Sequence, residues 1–310
     1  MPTSPPPQPA AHPQLGALTV ALLVIPPLLW ASNAVVARLV RDLVSPLTLN
    51  FVRWVIAFVL LLPLAAPVLR RGSPLWAHRK RYAVLGLLGI GLYNAFQYLA
   101  LQTSTPINVT LVGSSLPLWM LAVGTLFFGA RVDTRAIGGA LLSMAGVLLV
   151  LSRGEWRQLL GLRLVPGDLY MILGTIAWAF YSWLLARTHE PKAVRQDWAA
   201  FLMAQLVFGL AWSGALAAGE WTLTDAPHID LGWPLVAAML FIGIGPAVVA
   251  YRCWGTGVQR AGPQAASIFM NLTPLFAAIL SAAFLREPPH WYHGAAFLLI
   301  VGGIVVSSRR

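Results

Sequence analysis

The sequence predicts an all-α membrane protein of ten transmembrane helices arranged as two inverted five-helix repeats. Three observations carry that expectation. Of the 310 residues, 58% are hydrophobic and only 10% charged, with a mean hydropathy of +0.73, which excludes a soluble domain with a charged surface. A spanning helix needs about 20 mostly apolar residues, and ten such runs follow one another along the chain. The chain also matches itself at an offset of 157 residues, which brings Pro106 onto Pro263, Pro117 onto Pro274 and Gly146 onto Gly303.

The first apolar run, 15–36, follows a proline-rich stretch, 1–14, without Lys or Arg. That stretch lacks the charged region of a signal peptide and is expected to be a disordered cytoplasmic tail. The second run, 46–69, carries Arg53, and the third, 82–101, carries "GLYNAFQYLA". Only "QTSTP" separates the third from the fourth, 106–128, so the turn between them rests on Pro106. Asp133 precedes the fifth run, 134–151, while Asp168 and Asp197 start the sixth, 168–186, and the seventh, 197–218. All three acids read as N-caps. The eighth run is 232–251, the ninth, 263–285, opens at Pro263, and the tenth is 291–307. Residues 15–151 then form the first repeat, 152–167 a linker and 168–307 the second repeat. Because five is odd, the second copy enters the membrane upside down, an arrangement that places a binding site near the midplane between the halves. No segment alternates apolar and polar residues as a β-barrel strand would.

The formal charge is +11, and its distribution gives the orientation. Of the 21 Lys and Arg, 14 fall on the side that carries both termini, 6 on the other side, and Arg53 lies within a span. The positive-inside rule therefore expects both termini in the cytoplasm of a multi-pass protein of a bacterial-type inner (plasma) membrane. The basic surplus is read as topology and attraction to anionic headgroups, not as nucleic-acid binding. The expected partners are the lipid bilayer and a small-molecule substrate, and a monomer suffices.

All ten acidic residues and all six histidines fall in loops or at helix ends. Proton-coupled carriers use an acid or histidine at depth, so transport down a gradient is expected. No Ser has a His or Asp beside it at depth and no acid pair could hold a catalytic metal, so the chain is not expected to be an enzyme. His290 and His293 in "HWYH" lie one helical turn apart, but two ligands are too few for zinc, and no metal or cofactor is expected. The single Cys253 cannot form an internal disulfide.

Candidate site residues come from polar groups at membrane depth. In the third run, Tyr93 and Gln97 share one helical face and Asn94 and Tyr98 the next, a polar stripe that cannot face lipid cheaply. Pro117 and Pro274 remove backbone donors at related places, and the carbonyls they release need protein or a polar cavity, which points to Ser114, Ser115, Asn271 and Thr273. With Trp30 and Asn33 in the first run, Trp119 in the fourth, and Trp178, Tyr181 and Ser182 in the sixth, these residues suggest an aromatic-walled, uncharged cavity. The bland alternatives are interhelical hydrogen bonding for the stripe and simple kinks at the prolines. Arg53 either snorkels to the interface or pairs with Asp42, or attracts a substrate carboxylate.

The stretch "TPLFAAILSAAFLREPPHWYHGAAFLLIVGGIVV", a Pro-bearing helix, a short turn and a Gly-rich helix, resembles the end of an EamA repeat of the drug/metabolite transporter superfamily. "FVRWVIAFVLLLP" carries Arg53 where that family commonly has an arginine, and the likeness spans residues 15 to 307. Glu287 follows the ninth run as in the family, whereas the first repeat reads "GARVD" there, so no role of that Glu can be symmetric. Within the superfamily the chain looks most like YddG-type exporters of aromatic and other neutral amino acids. The resemblance implies export of small neutral metabolites by alternating access. A drug or nucleotide-sugar carrier of the same superfamily is the alternative within transport, although phosphorylated substrates would want more than one basic residue at depth. From another class, a non-transporting scaffold or receptor would need neither a polar midplane nor an inverted repeat, and a lipid scramblase would need a groove open sideways to lipid.

Overall fold

The computed structural model describes residues 16–308 apart from 105, 132, 162–164, 188–191, 225–226 and 286–289. The expected tail 1–14 and Glu287 lie outside the described residues. Among the described residues no strand forms, and one isolated bridge, Val44 with Ile229, ties two loops. Besides three short helices, Pro74–Ala77, Arg157–Leu160 and Lys192–Gln196, the helices are α1 (Ala17–Leu39), α2 (Pro46–Ala65, continued by a 3₁₀ turn, Ala66–Leu69) and α3 (Arg79–Gly86 and Tyr93–Thr103, joined by a π-helical stretch, Leu87–Leu92). Next come α4 (Pro106–Ser114 and Leu116–Phe128), α5 (Thr134–Leu151), α6 (Pro166–Ala186) and α7 (Trp198–Leu223). The last three are α8 (Trp233–Ile242 and Ala250–Ala261, joined by a π-helical stretch, Gly243–Val249), α9 (Pro263–Phe269 and Leu272–Leu285) and α10 (Trp291–Ser308). Among the described residues eight helices are long and apolar enough to cross a membrane, and Leu116–Phe128 and Trp291–Ser307 are shorter apolar helices. The chain is a multi-pass, all-helical membrane protein.

Local chemistry sets the helix ends. Proline stands at the first position of α2, α4, α6 and α9, where the missing N–H is not needed. Asp133 caps α5 by accepting from the Arg135 N–H at 3.1 Å, and Asp197 caps α7 by accepting from Ala199 and Ala200 at 3.0 and 3.1 Å. Asp168 differs from expectation. It sits in the first turn of α6, accepts from the Val165 N–H at 2.9 Å, and takes a second hydrogen bond from the Ser104 hydroxyl at the end of α3. The eighth helix also runs ten residues past its predicted end, to Ala261.

Pro117 and Pro274 each lie just inside a new helical segment, and the chain breaks immediately before them, at Ser115 in α4 and at Met270–Asn271 in α9. A proline cannot donate to the preceding turn, so the helix restarts where its own N–H is not required. The two π-helical stretches are likewise 157 residues apart, 87–92 in α3 against 244–249 within α8.

Packing between helices follows paired rules. Helix α1 packs on α8 and α9, and α6 packs on α3 and α4. Helix α2 lies antiparallel to α7, so that Glu220, at the end of α7, accepts from the N–H groups of Leu47 and Thr48 and from the Thr48 hydroxyl at 2.8–2.9 Å. Helices α5 and α10 run antiparallel along their length. A Cβ built on Gly139 would lie 2.5 Å from the Gly303 carbonyl oxygen, and one built on Gly146 would lie 2.9 Å from that of Ala296. Small residues permit that approach of two backbones, as is usual between helices in lipid.

Candidate functional site

Four of the largest buried side chains, Trp54, Trp178, Trp254 and Tyr181, converge on one place. Trp178 of α6 is 1% exposed, and Trp30 of α1, Tyr93 of α3, Tyr251 and Trp254 of α8 and its neighbour Tyr181 surround it, at ring centroid separations of 4.8–5.8 Å. Trp54 of α2 joins through Tyr251 at 4.9 Å, edge to face. Edge-on and tilted pairs of this kind contribute about 0.5–1.5 kcal/mol each beyond their area, so the cluster is a firm centre and not a loose filling.

Polar atoms are set into it without protein partners. The Asn33 Oδ1, both amide atoms of Asn50, the Arg53 Nε, the Trp54 and Trp178 indole nitrogens and the Asn94 Nδ2 are all buried and make no hydrogen bond among the described residues. An unsatisfied group of this sort costs about 1–3 kcal/mol, more when charged, and those of Trp54 and Trp178 belong to the cluster itself, with Arg53 over the Trp54 ring. Arg53 is 2% exposed and lies 4.8 Å over the Trp54 ring. It neither reaches the interface nor pairs with Asp42, because Asp42 is exposed and bridges to Arg41 at 3.4 Å. Among the described residues Arg53 is the only buried basic side chain, and it carries no ion pair.

Other polar groups around the cluster are satisfied. The Trp30 indole donates to the Pro246 carbonyl at 3.1 Å, and the Tyr251 hydroxyl donates to the Gly89 carbonyl. Both carbonyls belong to π-helical stretches, which open the backbone ladder and recur at functional sites. The Tyr181 hydroxyl donates to Gln205 Oε1 at 3.0 Å, and the Trp254 indole donates to the Ser182 hydroxyl at 3.3 Å.

The sequence-predicted residues thus divide. Trp30, Tyr93, Trp178 and Tyr181 build the aromatic cluster, Asn94 stands buried beside Tyr93, and Ser182 backs the cluster through Trp254. Gln97 and Tyr98 lie one turn further along α3 and are half-buried. Ser115 and Trp119 bond to each other at 3.1 Å across the break in α4, next to buried Ser114. Asn271 donates to the Ser143 hydroxyl of α5 at 2.7 Å, so it joins helices at the α9 break and does not face the cluster. Sequence reasoning missed Asn50, Trp54, Tyr251, Trp254 and Gln205. For Asn50 and Trp54 the signal was present: Asn50, Arg53, Trp54, Ala57 and Leu61 recur at helical spacing on the single buried face of α2.

Apolar helices closing around a buried, polar and aromatic centre are the build of a multi-pass membrane transporter. The EamA-like transporter family matches this chain at residues 17–152 and 165–309. The chain belongs to that family. It is 28% identical over 308 residues to an uncharacterized transporter of Archaeoglobus fulgidus, covering 94% of this chain and 98% of the relative. It is 25% identical over 244 residues to the aromatic amino acid exporter YddG of Ancylobacter novellus, covering 78% of each. It is 23% identical over 304 residues to a probable amino-acid metabolite efflux pump of Salmonella typhimurium, covering 93% of each. A solved structure 22% identical in sequence superposes with a TM-score of 0.71 over 93% of this chain and 95% of the other, so the fold is shared.

Proposed function

We propose that this transporter exports small neutral metabolites, amino acids including aromatic ones, by alternating access and without proton coupling. The observation that carries it is Arg53, a buried cation without a counter-ion among the described residues, with the Trp54 ring beneath it and the unpartnered amide of Asn50 one turn before it on α2. A carboxylate supplies the missing opposite charge, Asn33, Asn50 and Asn94 supply hydrogen bonds, and Trp54, Trp178 and Tyr251 receive an apolar or aromatic side chain. The names of the exporter and efflux-pump relatives favour the same substrate class. A nucleotide sugar fits less well, since its phosphates would want more than one buried cation.

The proposed architecture is ten spans in two inverted five-helix repeats, with both termini in the cytoplasm of a bacterial-type inner membrane. It is supported by the reciprocal packing of α1 on α8 and α9 and of α6 on α3 and α4. The close approach of Gly139 to Gly303 maps onto that of Ala296 to Gly146 at the 157-residue offset, as an inverted pair requires. Absence of proton coupling rests on the buried acids: Asp168 and Glu220 are both bonded at helix ends, away from the aromatic centre.

The test is counterflow of labelled phenylalanine in liposomes that contain only this protein. Exchange without an imposed pH difference is expected. Failure of every neutral amino acid to exchange, or strict dependence on a proton gradient, overturns the corresponding part.

A further inference from the structure

A second polar site lies on one side of the aromatic cluster. A cavity of about 420 Å³ opens between the end of α6, the start of α7 and the last three turns of α8. Its floor includes the buried Tyr181, Gln205 and Tyr251; Tyr181 and Tyr251 belong to the aromatic centre, and Gln205 accepts from the Tyr181 hydroxyl. Its walls carry three arginines, Arg195, Arg252 and Arg260, and no Asp or Glu lines it among the described residues. The neighbouring Asp197 is turned away, its carboxylate accepting from the first N–H groups of α7.

The arginines are held differently. Arg195 donates to the carbonyls of Leu185 and Arg187 at 3.3 Å, which fixes it to the rim. The Arg252 guanidinium carbon lies 4.3 Å from the centre of the Trp198 ring, a cation–π contact compatible with N–H groups that also bind an anion. Arg260 is exposed one helical turn past Thr256 on α8. Apolar walls (Leu185, Phe201 and Leu202) complete the cavity.

We infer that this cavity is an entrance station that captures the carboxylate of an organic solute before the solute passes Tyr181 and Tyr251 to Arg53. The inference rests on the transport function proposed above and adds a separate site to it. A converging set of positive charges in a partly enclosed cleft raises the local concentration of an anionic group, which speeds encounter and is screened by salt. Its inward floor suits a solute that moves on to the centre, whereas an anionic lipid would keep its tails at the cavity mouth.

The experiment compares the native protein with Arg252→Gln/Arg260→Gln in neutral-lipid liposomes, using phenylalanine and phenylalaninamide. Exposed charges contribute modestly one at a time, so the KM for phenylalanine is expected to rise about two- to tenfold with kcat unchanged, and the difference to shrink as salt is added. The amide should show no such rise. Equilibrium dialysis of phenylpropionate against the purified protein gives a readout independent of transport: binding persists in Arg53→Met and weakens in the double variant. An unchanged KM and unchanged dialysis, an equal loss for the amide, or an effect seen only with anionic lipids present overturns the entrance station. If no amino acid is transported by the native protein, the transport proposal fails while dialysis still decides the cavity.

Discussion

The hydroxyl of Tyr251 in α8 holds the carbonyl of Gly89 in α3. At the 157-residue offset Gly89 corresponds to Pro246, whose carbonyl is held by Trp30 at 3.1 Å. Each π-helical stretch is therefore latched at its equivalent carbonyl by an aromatic donor, but the donors are not equivalent. Trp178 packs against both latching rings, Trp30 at 5.3 Å and Tyr251 at 5.6 Å, and its indole N–H is buried without a partner among the described residues. One carbonyl thus has a second donor close to the ring that holds it, since Trp178 and Tyr251 lie 5.6 Å apart.

Tyr251→Phe is expected to release the Gly89 carbonyl while keeping the ring packing, at a net stability change of about 0.5–1.5 kcal/mol. If the latch holds one of two transport conformations, its loss shifts their populations. Thiol labelling of Thr256→Cys, made in a Cys253→Ala background so that only the cavity thiol reports, should then change at least about twofold in rate when Tyr251→Phe is added. Identical labelling in both backgrounds would show that the bond is ordinary packing.

Arg53→Met should separate function from stability in opposite directions. Removing a buried charge that has no counter-ion eliminates its desolvation penalty, so the melting temperature without substrate is expected to rise. Carboxylate-bearing substrates lose a desolvated charge pair, for which truncation costs about 2–5 kcal/mol, so their transport should fall by more than tenfold. A variant that melts lower and loses transport of carboxylate and amide substrates alike would mark Arg53 as structural.

The apolar runs made most helices legible, because the bilayer demands about 20 apolar residues per crossing. Helix α8 shows where that signal stops. Its last turns carry Arg252, Thr256, Gln259 and Arg260, which face a polar cavity, so the apolar run ends at Tyr251 although the helix continues to Ala261. Tyr251 and Trp254 consequently look like edge residues in the sequence, and both are central. The breaks at Ser115 and Met270–Asn271 could be anticipated from Pro117 and Pro274, since proline acts locally. The π-helical stretches could not, because widening a turn by one residue leaves composition and hydropathy unchanged. Nor could the partner of Asn271: its bond to Ser143 depends on the packing of α9 on α5, which no spacing within either helix reveals.

The α5–α10 contact predicts a purely structural effect. A side chain at Gly139 or Gly303 meets the opposite backbone at 2.5 Å, where no rotamer gives relief. Gly139→Val and Gly303→Val are each expected to destabilise by about 1–3 kcal/mol, and the double change by less than the sum, since both push the same two helices apart. Melting curves in detergent read this out. Unchanged melting would mean that the two helices are not held at this distance.

The polar stripe of α3 gives the last prediction, because the structure divides it. Tyr93 and Asn94 meet the aromatic centre, while Gln97 and Tyr98 are half-buried one turn away. Tyr98→Phe and Gln97→Leu make the helix more compatible with lipid, so insertion and melting should change little if these groups line a pathway. A lost hydrogen bond to a neutral ligand is worth about 0.5–1.5 kcal/mol, which corresponds to a loss of a few-fold to about tenfold in transport. Trp119→Leu tests the wall separately, since Trp119 is anchored to Ser115 at 3.1 Å and stacking helps only an aromatic substrate. Its loss should therefore be greater for phenylalanine than for alanine or serine. Interhelical bonding predicts a different pattern, in which all three variants melt lower and every substrate is affected in proportion. Melting temperature and substrate-resolved efflux, measured on the same preparations, distinguish the two, and proportional losses without substrate dependence would remove Gln97, Tyr98 and Trp119 from the site.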